Sequence, residues 1–195
     1  MSESGDWRSR RWQATHQKIY DAAMRLFQEV GFEQASVGQI AAAAKVSVPT
    51  FYAHYPSKEH VVMQLPTADE ITALVAALPR ELPLRERIRL AVPLWLSAWT
   101  PEFREAQLIR WRIIAGVPSL RTRAAEFERV TAGLLADALR AEPGSTFGPA
   151  DAVVVTAHMT ALTAGALAWA DGNGERKIEE HILEAFDALE GKARG

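Results

Sequence analysis

The chain has 195 residues, 48% of them apolar, and a formal net charge of −2, enough apolar material for one large or two modest packed domains and too much for a chain disordered throughout. The absence of cysteine excludes disulfides, thiolate metal sites and a cysteine nucleophile. The opening MSESGDWRSRRW lacks the apolar centre of a signal peptide and no later run reads as a membrane span, so a cytoplasmic protein with no membrane partner is expected.

From Trp7 to Tyr20 the chain holds Arg8, Arg10, Arg11 and Lys18 and no acid. Residues 1–14 read as a basic flexible arm whose Arg10 and Arg11 can meet phosphates or a minor groove, the alternative being a solvated terminus. Thr15 stands where a helix cap belongs. Ile19, Ala22, Ala23, Leu26, Phe27 and Val30 then follow the i, i+3, i+4, i+7, i+8, i+11 spacing of an amphipathic helix, which Gly31 ends.

Residues 36–58 read SVGQIAAAAKVSVPTFYAHYPSK, two short helical patterns joined by a corner. Ser36 caps the first, in which Val37, Ile40, Ala41 and Ala44 share one apolar stripe. Lys45-Val46-Ser47 forms the corner. Ser47 caps the second helix, with Pro49 in the first turn where a missing N–H does no harm. Phe51 and Tyr55, four apart, pin that helix inward and leave Pro49, Thr50, Tyr52, Ala53 and His54 on other faces, the arrangement of a helix-turn-helix. Residues 15–65 therefore form a DNA-binding domain with a core of Leu26, Phe27, Phe32, Ile40, Ala41, Val46, Phe51 and Tyr55.

Ser57 opens a fourth helix that Pro66 interrupts, and the pattern resumes through Ile71, Leu74, Val75 and Leu78 as a kinked connector or as two consecutive helices. The remaining residues, 66–195, carry little strand-like alternation. Pro and Gly breaks predict helices at about 83–98, 101–115, 118–141, 149–170 and 175–190, the first kinked at Pro93, for an all-α fold.

The helix IYDAAMRLFQEVGF, the segment SVGQIAAAAKVS and the stretch VPTFYAHYPSKEHVV, in that order and register, resemble the DNA-binding domain of the TetR family of bacterial transcriptional regulators. The resemblance implies that Ser36 caps its helix and bonds a phosphate, and that Val48, Pro49, Thr50, Tyr52, Ala53 and His54 enter the major groove. Lys58 would add a phosphate contact. Thr50 and His54 can hydrogen-bond base edges or phosphates, Val48 and Pro49 can touch a thymine methyl, and Tyr52 offers its hydroxyl to the backbone. Four positions depart from the family pattern. Lys45 stands where a turn glycine is usual, Gly38 and Val48 where long polar residues are common, and Tyr55 where an apolar aromatic is common, so the Tyr55 hydroxyl needs a partner.

The same resemblance implies a C-terminal helical domain that binds an effector and dimerises, although similarity fades after about residue 66. Trp95, Trp99, Phe103, Trp111, Phe127, His158, Met159 and Leu162 are the candidate walls of an apolar effector pocket. Arg110, Arg112, Arg121 and Arg123 raise the alternative of an acyl-type effector with an acidic headgroup. Val154, Leu162, Ala166 and Trp169, with Ile178, Ile182, Phe186 and Leu189, are expected to form a four-helix homodimer interface. His158 and His181 have no metal-binding spacing and no nucleophile constellation accompanies them, so no enzyme, metal or cofactor is expected. The expected partners are an operator duplex, a small apolar effector and a second copy of the chain. The leading expectation is a repressor released by its effector; an activator or a ligand-independent regulator of the same fold is the alternative.

Overall fold

Apolar residues at helical spacing close two separate cores in the computed structural model, which describes residues 3–192, with side chains from Trp7 onward. The chain divides after Gln64 into the units Met1–Gln64 and Leu65–Gly195. No strand occurs among the described residues.

The first unit holds α1 (Glu3–Val30), α2 (Val37–Ala43), α3 (Val48–His54) and α4 (Lys58–Val62). Ile19, Ala23 and Phe27 of α1 are buried, as are Ile40, Phe51, Val61 and Val62, in a unit where α1 packs on α2 and α4 and α2 packs on α3. Burying Phe51 completely is worth roughly 2–3 kcal/mol. Leu26 and Val46, expected in this core, are only partly buried. Gly31 takes φ 87°, and its N–H bonds the Phe27 carbonyl at 3.1 Å, so the chain leaves α1 through a left-handed cap that costs glycine nothing. The helix itself differs from the sequence reading at its other end. It does not begin at Thr15 but at Glu3, and the Thr15 hydroxyl donates back to the Arg11 carbonyl at 3.0 Å inside the helix.

The second unit holds α5 (Ala68–Ala76), α6 (Leu84–Ser97), α7 (Pro101–Gly116), α8 (Pro118–Arg140), α9 (Pro149–Asp171) and α10 (Ile178–Leu189). The stretch after α4 is thus two consecutive helices, with Pro66 in the break and a Thr67–Glu70 capping box restarting the chain. Pro93 lies inside α6. The centre is α9, which packs on α10, α8, α7 and α6. α9 is also the exception to the expectation that no run could cross a membrane, being long and apolar enough by length and composition. Its inner side is engaged: Val155, Met159, Ala166 and Trp169 are buried with Ile178, Ile182 and Phe186 of α10. Gly165 is what lets the two helices approach so closely.

Candidate nucleic-acid interface

The helix-turn-helix is built by two serine caps. The Gln39 N–H donates to Ser36 Oγ at 3.2 Å and the Ser36 N–H donates to Gln39 Oε1 at 2.9 Å, a reciprocal capping box that fixes the start of α2. Ser47 does the same for α3: the Thr50 N–H donates to its Oγ at 3.1 Å, and the Ser47 and Thr50 hydroxyls stand 2.7 Å apart. Between them Lys45 has φ 55°, the left-handed conformation that its place in the turn demands. That conformation costs a non-glycine residue about 1 kcal/mol. The Lys45 side chain lies on a cleft of about 250 Å³ with Lys18, Asp21 and Arg25 of α1.

One side of α3 is committed to the core through Phe51, and the other is open. Val48 is 41% exposed and Tyr52 54% exposed, Pro49 and Ala53 are exposed, and Thr50 and His54 are half-buried. Tyr52 is braced edge-on against Phe51, ring centroids 5.5 Å apart, so its hydroxyl is carried outward on a fixed ring. The six residues named for groove reading therefore share one element, with Ser36 exposed at the start of α2.

Lys58 is placed differently from the expectation. Its ammonium donates to the carbonyls of Phe32, Glu33 and Ala35 at 2.9, 3.4 and 3.1 Å and lies 4.5 Å from the centroid of the Phe32 ring. All three of its donors are turned into the loop after α1, so Lys58 is a tether rather than a phosphate ligand. Tyr55 has found the partner its hydroxyl needs, donating to the His16 carbonyl at 3.3 Å, and burial pushes its pKa above the usual phenol range.

Two residues with no part in the sequence reading join this surface. Trp12 stacks on His16, centroids 4.8 Å apart at 18°, and meets His54 at 4.8 Å and 32°. His16 stacks in turn on Tyr55 at 4.1 Å. The signal was present as Trp12 and His16 four residues apart, but only a helix that begins before Trp12 puts them on one face. Desolvation lowers the pKa of both His16 and His54, and the nearby His54 lowers that of His16 further. As pH falls, the unfolded chain therefore takes up these protons first. The stability of this unit should be level above the ordinary histidine range and decline as pH falls through about 6.5 toward the lowered values. Urea midpoints across that range test this, and His54→Gln should flatten the decline; a midpoint that rises on acidification would contradict it.

In the second unit Trp95, Trp99 and Phe103 form an edge-to-face ladder with centroids 4.9 and 5.3 Å apart, its outer members 39% and 46% exposed. Trp99, Trp111, Met159 and Leu162 meet in the core cluster, whereas His158 is buried edge-on to Phe186 at 4.8 Å and Phe127 is half-buried elsewhere on α8. Most of the named arginines are engaged internally. Arg121 bonds the Asp171 carboxylate at 2.7 and 2.9 Å, Arg123 pairs with Glu126, and buried Arg110 donates to Gln107 at 2.8 Å. Among the residues named for a dimer interface, Ala166, Trp169, Ile178, Ile182 and Phe186 are buried in the unit's own core, Val154 and Leu162 are half-buried, and Leu189 is exposed.

The first unit of this two-unit, all-α chain is, by architecture, a serine-capped helix-turn-helix. Residues 19–65 match the family described as bacterial regulatory proteins, tetR family. An HTH-type transcriptional regulator of Mycobacterium tuberculosis is 38% identical over 58 residues, which cover 30% of this chain and 27% of the relative. The chain thus matches little more than a quarter of the length of that relative. Among solved structures, NalD, the secondary repressor of the MexAB-OprM multidrug efflux pump in Pseudomonas aeruginosa, shares 22% identity over 91% of this chain and 96% of its own, with a TM-score of 0.55. The regulator FadR from Bacillus subtilis, in complex with stearoyl-CoA, shares 15% identity over 91% and 99%, with a TM-score of 0.52. Both share the fold.

Proposed function

We propose that this chain is a cytoplasmic, homodimeric, DNA-binding transcriptional regulator, and that it represses until a small, largely apolar effector releases it from its operator. The observation that carries the reading is the two-sided α3: Phe51 is fully buried while Val48, Pro49, Tyr52 and Ala53 stand open on a helix held by its own serine cap. A short helix with one side locked and the other side lined by small, hydroxyl and aromatic groups suits the major groove.

A second copy is supported by α9. Helix α9 carries no charged residue between Asp151 and Asp171, and a helix that apolar is normally covered on most of its sides. Its outer stripe of Val153, Thr156, Thr160 and Ala164 is nevertheless exposed. These residues, rather than the apolar stripe of α10, would meet a partner copy, because Ile178, Ile182 and Phe186 already have their neighbours. A dimer also places two heads on one face of the duplex. The effector would enter at the Trp95–Trp99–Phe103 ladder, where aromatic surface is open. It must bind the DNA-free conformation better than the DNA-bound one to act as a release signal.

An operator selected from a randomised duplex pool tests the reading. Thr50→Ala should weaken binding to it about fivefold, the loss of a hydrogen bond worth ~1 kcal/mol, with dimerisation unchanged. The Ser47 cap survives that substitution, because it receives the Thr50 backbone N–H. No duplex selected at low salt, or a Thr50→Ala variant with wild-type affinity, would count against the assignment.

A further inference from the structure

Helix α1 runs unbroken from Glu3 to Val30, so its first part lies ahead of the buried apolar stripe that begins at Ile19. A helical extension without packing frays in water. Here it is held by rings. Trp12 lies on His16 and against His54, His16 lies on Tyr55, and the Tyr55 hydroxyl closes the set on the His16 carbonyl. His54 is the last residue of α3, so the extension leaves the head at the C-terminal end of the reading helix. Arg8, Arg11, Trp12 and Thr15 stand at i, i+3, i+4 and i+7 and share one stripe, which puts Arg8 and Arg11 on the same side as the ring that touches His54. Arg11 is exposed and its guanidinium carbon lies 5.4 Å from the centroid of the Trp7 ring.

We propose that the N-terminal part of α1 is a rigid phosphate-binding helix, with Arg8 and Arg11 gripping the DNA backbone beside the groove that α3 reads, and that Trp12 is the positioning residue that aims it. This rests on the DNA-binding reading above. Seven residues of α3 span roughly 10 Å, close to the width of a major groove of about 12 Å, so His54 reaches the groove wall. From Trp12 back to Arg8 is one turn, roughly 6 Å along the axis, within the reach of an arginine side chain from that wall. A helix about 10 Å across does not enter a minor groove about 6 Å wide. The extension therefore meets phosphates and leaves the base edges to α3, which replaces the flexible minor-groove arm with a strut.

The salt dependence of binding separates this from a merely structural clamp. Each phosphate contact contributes about 0.9 to the slope of log affinity against log salt. With the full chain and a mixed-sequence duplex, Arg11→Gln should lower that slope by about 1. Trp12→Ala removes no charge, yet should lower the slope by at least as much, while Trp12→Phe, which keeps a stacking ring, should restore it. Adding Arg11→Gln to Trp12→Ala should lower it little further. A wild-type slope in Trp12→Ala with unchanged helix content by circular dichroism overturns the proposal. If Trp12→Ala loses helix content, the double variant Arg8→Gln/Arg11→Gln decides, and a wild-type slope there overturns it equally. A wild-type chain that binds no duplex at low salt overturns the DNA-binding reading itself, whereas wild-type binding with unchanged slopes in every variant overturns only the role of the extension.

Discussion

Glu142→Ala is expected to destabilise the second unit by about 3–5 kcal/mol, because it strands a buried arginine. Arg87 of α6 is 8% exposed in its side chain, and its two terminal nitrogens donate to the Glu142 carboxylate at 2.8 and 2.7 Å. A bidentate fork of this kind is the strong form of a charged pair. Arg80 adds a contact at 3.4 Å but is 54% exposed, so it contributes little. The two partners are not equivalent. An arginine cannot shed its proton, whereas a carboxylate left alone can take one up, so Glu142→Ala should be worse than Arg87→Met. Replacing both, as Arg87→Met with Glu142→Leu, should return most of the loss, since the desolvation of two charges disappears with them. The pH dependence follows in sign. The hydrogen bonds from Arg87 hold the Glu142 carboxyl below the usual carboxylate range, so this stabilisation is complete above that range and is lost as pH falls through the lowered value. Urea unfolding of the three variants measures all of this, and a Glu142→Ala loss under about 1 kcal/mol would mean the fork is not closed in solution.

The breaks between helices were legible because each rests on a local rule. Pro101, Pro118 and Pro149 each open a helix in its first turn, and the DGNG stretch ends α9 with Asn173 and Gly174 at positive φ. Helix α3 was legible for the same reason, its cap, proline and inward aromatic pair lying within nine residues. What stayed hidden depends on partners distant in sequence. The Lys58 chain looked like a free cation at a helix start, and only the return of residues 32–35 to its side shows where its donors go. The apolar stripe of α10 looked available to a partner copy, and only the packing of α9 shows that it is already covered. Thr15 looked like a cap because serine and threonine cap helices, yet the side chain also satisfies itself on the carbonyl four residues back, and the rings around Trp12 favour that outcome.

Gly165→Ala is expected to cost the second unit about 3 kcal/mol, the upper end of what one added methyl does in a packed core. A Cβ at this position would stand 2.7 Å from Ile182 Cα, 2.8 Å from Ile182 N and 2.9 Å from the His181 carbonyl carbon. All three are backbone atoms, so no side-chain rotation makes room and α10 must move off α9. Ile178, Ile182 and Phe186, each buried to within 1%, would loosen together, and so would the edge contact of Phe186 on His158. Helix propensity pulls the other way by about 1 kcal/mol, since alanine is the better helix former, and is outweighed. Gly133→Ala supplies the contrast: nothing lies within 4 Å of its Cβ, so the same propensity gain should appear as added stability. Gly165→Ala should lower the urea midpoint, and Gly133→Ala should raise it. A Gly165→Ala chain that unfolds at the wild-type midpoint would mean that α9 and α10 do not cross this closely, and a Gly133→Ala chain less stable than the wild type would mean that the Gly133 site is not open.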